Sequence, residues 1–110
     1  MSVEYRTGFL EIKGLEFRPD ILRKGKELLT AGHIFNVKET HKANNVTITG
    51  FCVRQASISN APYIIELQIS PNRTVLSGHC NCQAGIDGQC KHSSGLVSQL
   101  FITILNSFRQ

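Results

Sequence analysis

Three cysteines and one histidine lie close together near residue 85, in the pattern CxC, a seven-residue spacer and CxH. The four residues are Cys80, Cys82, Cys90 and His92. Thiolates and imidazoles are the ligands that zinc takes in closed, tetrahedral structural sites. Three thiolates and one imidazole fill all four positions and leave none for a reacting water. The pattern therefore predicts one structural Zn²⁺ ion that holds shape and performs no chemistry.

The spacer between the two ligand pairs has the composition of a tight turn. It carries Gly85 and Gly88 around Ile86 and Asp87, and glycine and aspartate are common where a chain must reverse sharply. Such a reversal would bring both pairs to one ion. Since three thiolates outweigh the ion by one unit, bound zinc would change the formal net charge from +4 to about +3.

The cysteines and histidines also allow other interpretations. Four cysteines could form two disulfides, but the chain opens MSVEYRTGF without an apolar signal segment, and the cysteines of a CxC pair bridge each other poorly. Cys52 stands alone in an apolar, strand-like run and is expected in the core. His79 could replace a ligand, but only by breaking the CxC or the CxH pair.

Length and composition indicate one small domain. The chain has 110 residues, and no run of about 18 apolar residues could span a membrane. We expect residues 1–19 to be an N-terminal lead-in, residues 20–110 to form the domain, and the protein to be intracellular, nuclear or cytoplasmic, and not secreted. The net charge of +4 permits contact with a polyanion, but eight acidic residues dilute that signal.

Hydrophobic periodicity predicts two helices. From Pro19 to Ala31, four aliphatic side chains recur at near-helical intervals and Gly32 follows as a terminator. From Lys91 to Asn106, apolar residues recur at three- and four-residue steps, which is typical of an amphipathic helix. These are Leu96, Val97, Leu100, Phe101, Ile104 and Leu105.

Between the helices, β-rich runs alternate with turn residues from His33 to Leu76. Two strands show a period of two, so each offers one face to be covered. In one, Val46, Ile48 and Gly50 alternate with Thr47, Thr49 and Phe51, and in the other Ile65, Leu67 and Ile69 alternate with Glu66, Gln68 and Ser70. The fold class is therefore expected to be α+β. It would be a small antiparallel sheet of three or four strands, with an N-terminal helix and a C-terminal helix tied to the sheet by the zinc site.

This order of strands, CxC, spacer, CxH and apolar helix resembles the SWIM-type zinc finger domain. The four ligands match that family's motif one for one, and the likeness extends over residues 20–106. The stretch CNCQAGIDGQCKH is most similar to SWIM modules of recombinase- or transposase-associated eukaryotic proteins. The chain departs from the common pattern at Gln83, Ser93 and Gly95, none of which is a ligand.

The resemblance implies a zinc module that binds DNA in a recombination, transposition or chromatin-related protein. Phosphate contacts would come from basic side chains, with candidates at Arg23, Lys24, Lys26, Arg54, Arg73 and Lys91. The alternative is a protein–protein interaction adaptor that docks through the sheet edge or the last helix without touching nucleic acid. No catalytic constellation competes with the metal pattern, so an enzyme is not expected.

Overall fold

The computed structural model describes residues 5, 9, 11–13, 15–43, 45–54, 61–83 and 89–109, with side chains described as far as Phe101. These residues form an α+β fold of two helices and five strands, as the sequence predicted for the class. In chain order the elements are β1 (Glu11–Ile12), α1 (Pro19–Thr30), β2 (Ile34–Lys42), β3 (Asn45–Cys52), β4 (Tyr63–Ile69), β5 (Thr74–Cys80) and α2 (Lys91–Arg109).

The sheet has the strand order β1-β5-β4-β3-β2. Strands β2 to β5 are joined as antiparallel neighbours, whereas β1 pairs in parallel with β5. The predicted count of three or four strands was therefore wrong by this edge strand. Strand β1 has only two residues, too few to produce an alternating pattern, and its partner lies about sixty positions away in the chain.

One face of the sheet carries the core. Ile48, Ile65 and Leu67 are fully buried on adjacent strands, while the alternating Thr49, Glu66 and Gln68 side chains are exposed or half-buried. This is the alternation expected of a sheet covered on one side, and it confirms the predicted inward positions of β3 and β4.

Helix α1 begins and ends as predicted. Pro19 occupies its first turn, where its missing N–H costs nothing. At the other end His33 N–H donates to Leu28 O and Gly32 N–H to Leu29 O, both at 3.0 Å. These bonds form a Schellman motif, which requires a left-handed residue, and Gly32 has a φ of +76°.

The two helices cross at close range. A Cβ atom on Gly25 would lie 2.7 Å from the backbone nitrogen of Gly95, and one on Gly95 would lie 3.1 Å from Gly25 O. Helix α2 also lies against the sheet, with Leu96 packed over Gly50 of β3. Glycine in α1 weakens the helix by propensity, but here it allows α1 to pack directly on α2.

The segment before α1 is part of the packed structure. Phe9 and Leu15 are buried in the core, and Phe9 lies under the guanidinium of Arg73, whose Cζ is 4.3 Å from the ring centroid. Arg73 also donates from both terminal nitrogens to the carboxylate of Glu39, each at 3.0 Å. Phe9 and Leu15 thus contribute to the same core as the sheet.

Candidate metal centre

The CxC and CxH residues form one cluster. The ligand atoms of Cys80, Cys82, Cys90 and His92 all lie within 4.8 Å of one another, and all four residues are buried. All four cysteines of the chain are free thiols, so the disulfide alternative does not apply. The cluster could hold one metal ion.

Strand β5 delivers the CxC pair. Cys80 is its last residue and pairs with Ile65 of β4, which places its side chain on the core face. Asn81 then donates its N–H to Ile64 O at 3.2 Å and accepts the Ile64 N–H on Oδ1 at 2.8 Å. Because the Asn81 side chain replaces a ladder carbonyl, the backbone can turn away and bring Cys82 to the same cluster.

The start of α2 delivers the CxH pair. Cys90 caps the helix: its Sγ accepts the Ser93 N–H at 3.5 Å, and its carbonyl accepts the Ser94 N–H at 3.0 Å. His92 lies in the first turn, and its Nδ1 is 3.8 Å from Cys80 Sγ and 3.6 Å from Cys90 Sγ. Nδ1 is therefore the ring nitrogen that would coordinate a metal.

The helix terminus also favours negative charge on sulfur. Hydrogen bonding from Cys80 outweighs burial and, with further bonds from His92 and Ser93, lowers the pKa of Cys90 to about 3. The same shared proton, together with burial, raises the pKa of Cys80. The positive end of the α2 dipole acts in the same direction on Cys90. One thiolate is thus formed readily at the cap, while Cys80 keeps its proton.

One cysteine and one histidine that the sequence analysis considered, Cys52 and His79, lie outside the cluster. Cys52 is fully buried, which confirms its assignment to the core, and burial raises its pKa to about 11. His79 is exposed and stands opposite Glu66 in the β4–β5 ladder. Since adjacent strand residues point to opposite faces, His79 and Cys80 cannot both face the cluster.

Two residues for which the sequence predicted no role at the site contact the candidate ligands. The ring of Tyr63 lies 4.5 Å from that of His92, centroid to centroid, at an interplanar angle of 36°. The hydroxyl and N–H of Ser93 both reach Cys90 Sγ. Ser93 could have been found as the third helical position after a capping residue, but no local signal links Tyr63 to a histidine 29 positions away.

The six basic candidates have different surroundings. Arg23, Lys24 and Lys26 are exposed on α1, and Arg23 pairs with Glu27 at 3.3 Å. Lys24 and Lys91 both line two cavities, one of about 440 Å³ beside Cys82, Cys90 and His92 and one of about 400 Å³ beside His33. Arg54 lies over Tyr63.

Arg73 differs from these five, because it is 8% exposed and its guanidinium is paired with Glu39. We therefore leave Arg73 out of any phosphate-binding surface.

The predicted turn at Gly85 and Gly88, and the side chains of Ile104 and Leu105, lie outside the described residues. Within the described part of the chain, neither helix is long and apolar enough to cross a membrane.

Comparisons of the chain with protein-family models, curated proteins and solved structures found no match.

Proposed function

We propose that this chain is a structural zinc module of the SWIM type that binds nucleic acid, with DNA as the expected partner. The observation that carries the metal part is the buried cluster of three sulfurs and one imidazole nitrogen within 4.8 Å. Soft thiolates with imidazole select zinc over magnesium, calcium or manganese. The donors number four, so the ion would be enclosed.

The distances fit a tetrahedral zinc site. With Zn–S near 2.3 Å and Zn–N near 2.05 Å, a regular tetrahedron separates sulfur from nitrogen by about 3.6 Å and two sulfurs by about 3.8 Å. His92 Nδ1 lies 3.6 and 3.8 Å from two of the sulfurs. The longest separation in the cluster exceeds the sulfur–sulfur value by no more than about 1 Å, so small side-chain rotations suffice.

The order of elements supports the SWIM assignment. The CxC pair closes the last strand and the CxH pair opens an apolar helix, which is the arrangement the resemblance implies. Zinc would then join the sheet to α2 at one point. The binding free energy of such a site becomes folding free energy when the site does not exist in the unfolded chain.

Metal analysis and chelation test the zinc part. We expect one zinc per chain, and loss of the near-UV circular dichroism signal when a chelator removes it. His92→Ala should lower zinc affinity by at least about a hundredfold, whereas His79→Ala, the matched exposed histidine, should leave it unchanged. A chain that keeps its full near-UV signal without metal, or that loses as much affinity with His79→Ala, would refute the proposal.

The nucleic-acid part rests on α1. Arg23, Lys24 and Lys26 are exposed on α1, whose buried Gly25 packs against α2. Basic side chains on one exposed element are what phosphate contact requires. Arg54 and Lys91 are only half-exposed, whereas the three basic side chains of α1 are exposed, so α1 supplies the more accessible cations.

Binding of labelled DNA and RNA across a salt series tests this part. Lys24→Glu with Lys26→Glu should weaken binding more than tenfold and reduce the salt slope by about 2. Lys38→Glu with Lys42→Glu, both exposed on β2, reverses the same number of charges and should weaken binding by no more than about threefold. Undetectable binding near physiological salt, or equal losses in the two variants, would refute nucleic-acid binding through α1.

One observation favours the adaptor alternative. The sheet face opposite the helices carries the stacked pair Phe35 and Phe51, with ring centroids 5.7 Å apart, and Ile64 beside them is 40% exposed. Exposed apolar side chains in a group suit a protein partner. If Ile64→Arg abolishes capture of a specific partner while Lys24→Glu does not, the adaptor function replaces nucleic-acid binding.

A further inference from the structure

Three planar side chains contact one another in sequence, beginning at the metal cluster. The His92 imidazole lies against the Tyr63 ring, with centroids 4.5 Å apart. The Arg54 guanidinium lies over the same Tyr63 ring, with Cζ 4.5 Å from its centroid. Only His92 is a ligand candidate, so the other two side chains have no assigned role at the metal cluster.

The strands fix this stack in place. Tyr63 is the first residue of β4 and stands opposite Cys52 at the end of β3. Arg54 follows two residues later, and its Nε–H donates to Ala61 O at 2.8 Å, just before β4. Tyr63 therefore comes from a paired strand and Arg54 from two residues beyond one, and neither belongs to the spacer that links the two ligand pairs.

The Tyr63 ring restricts the rotation of the His92 imidazole. A histidine can coordinate through either ring nitrogen, and its outer contacts decide which one is used. With Tyr63 against one face, the His92 ring is held with Nδ1 toward Cys80 and Cys90. The negative face of an aromatic ring also attracts positive charge, and an imidazole becomes more positive when it coordinates a cation.

The charge of Arg54 suits the same site. Zinc with three thiolates carries a formal charge of about −1, so a guanidinium held nearby stabilises the loaded centre. Its hydrogen bond to Ala61 and its position over Tyr63 orient the guanidinium toward the protein. Arg54 thus has a structural explanation that requires no phosphate.

From this geometry we propose that Tyr63 and Arg54 are positioning residues for the metal ligand His92. Tyr63 holds the imidazole in the orientation that presents Nδ1 to the metal, and Arg54 holds the Tyr63 ring and offsets the charge of the thiolates. The inference rests on the proposed zinc centre but not on nucleic-acid binding.

Metal affinity and the coordination of His92 test the role of Tyr63. Zinc dissociation constants would be measured by competition with a chromophoric chelator, and the ligating nitrogen would be read from the two-bond ¹H–¹⁵N correlation of the His92 ring. Tyr63→Leu removes the ring face but keeps an apolar side chain, and should weaken zinc binding by roughly 10- to 100-fold. Tyr63→Phe keeps the ring and should stay within about threefold of the native affinity.

Arg54→Ala should weaken zinc binding by about three- to tenfold through the loss of the ring contact and the charge. Phe51→Leu is the matched control, because it removes an aromatic ring from the same sheet on the face away from the cluster. Native zinc affinity and unchanged Nδ1 coordination in Tyr63→Leu would overturn the inference, as would an equal loss in Phe51→Leu.

The outcomes separate this inference from the proposed function. If the native chain binds no zinc or Co²⁺, the metal centre itself fails, and the positioning role fails with it. If the native chain binds metal and the Tyr63→Leu and Arg54→Ala variants bind zinc with native affinity, the zinc module stands and the positioning role is overturned. Co²⁺ gives a second reading, since distortion of a tetrahedral site should change its visible absorption in Tyr63→Leu and leave it unchanged in Tyr63→Phe.

Discussion

Replacing Gly25 by alanine tests the close approach of the two helices. The added Cβ atom would lie 2.4 Å from Ser94 Oγ and 2.7 Å from the Gly95 backbone nitrogen, while ordinary contact begins at 3.4 Å. The serine hydroxyl can rotate, but the backbone of α2 cannot move alone because Leu96 packs against Gly50 of β3. The helices would have to separate by about 0.7 Å, which is the shortfall at the Gly95 nitrogen.

Two opposing terms determine the result. Overpacking of this kind costs about 1 to 3 kcal/mol, and alanine gains about 1 kcal/mol over glycine in a helix. Since the obstacle is backbone, we expect the upper part of the steric range and a net loss of about 1 to 2 kcal/mol in the free energy of unfolding. Helix propensity alone predicts the opposite sign, so the direction of the change is decisive.

Urea unfolding of the zinc-loaded protein measures the change. Lys26→Ala, in the same helix but exposed, is the control and should shift stability by no more than about 0.5 kcal/mol. Adding Ser94→Gly to Gly25→Ala removes the side-chain conflict but not the one at the Gly95 nitrogen, so a double-mutant cycle should show partial rescue. A Gly25→Ala protein as stable as the native one would refute the argument from close packing.

Three further predictions concern buried groups. Arg73→Met leaves the Glu39 carboxylate buried without its bidentate partner and should lower the free energy of unfolding by about 3 kcal/mol, whereas Arg23→Met breaks an exposed pair and should cost no more than about 1 kcal/mol; equal losses in denaturant unfolding would contradict this. Because burial raises the pKa of Cys52 to about 11, the unfolded thiol ionises first as pH rises. A contribution of about 2 to 3 kcal/mol, present below the ordinary thiol pKa, should therefore be lost toward pH 11. Unfolding midpoints at several pH values should show less of this alkaline loss in Cys52→Ala, and an identical loss would contradict the assignment. Burial and the bond to Cys90 keep a proton on Cys80 that zinc must displace, so competition assays should show affinity rising at least about tenfold per pH unit near neutrality; a flat profile would exclude that displaced proton.

Local patterns were sufficient for the elements that rest on periodicity and on end signals. Helix α1 could be bounded from Pro19 and Gly32 because both residues act through their own backbone dihedrals. The inward faces of β3 and β4 followed from strict alternation. The four ligands came together as predicted because the CxC pair ends a strand and the CxH pair begins a helix.

Contacts between distant segments could not be predicted. The salt bridge of Arg73 with Glu39 spans 34 positions, and a lone arginine in a sequence gives no sign that its partner will be a buried glutamate. In the sequence, Tyr63 has the pattern of an ordinary strand residue, and only the fold places its ring against His92. Helix propensity describes an isolated helix and counts Gly25 as unfavourable in α1, whereas the close crossing depends on α2.

The positions of the basic residues decide how the metal would contribute to nucleic-acid binding. Lys91 and Arg54 lie near a centre whose formal charge with zinc is about −1, so the negative thiolates offset much of their positive potential. Lys24 and Lys26 stand on α1, where Lys24 lines a cavity together with Cys82, Cys90 and His92 and Gly25 packs against Gly95 of α2. Zinc would then support binding indirectly, by anchoring the start of α2 on which α1 packs. On this reasoning chelation and Gly25→Ala should both weaken nucleic-acid binding, although neither removes a phosphate contact.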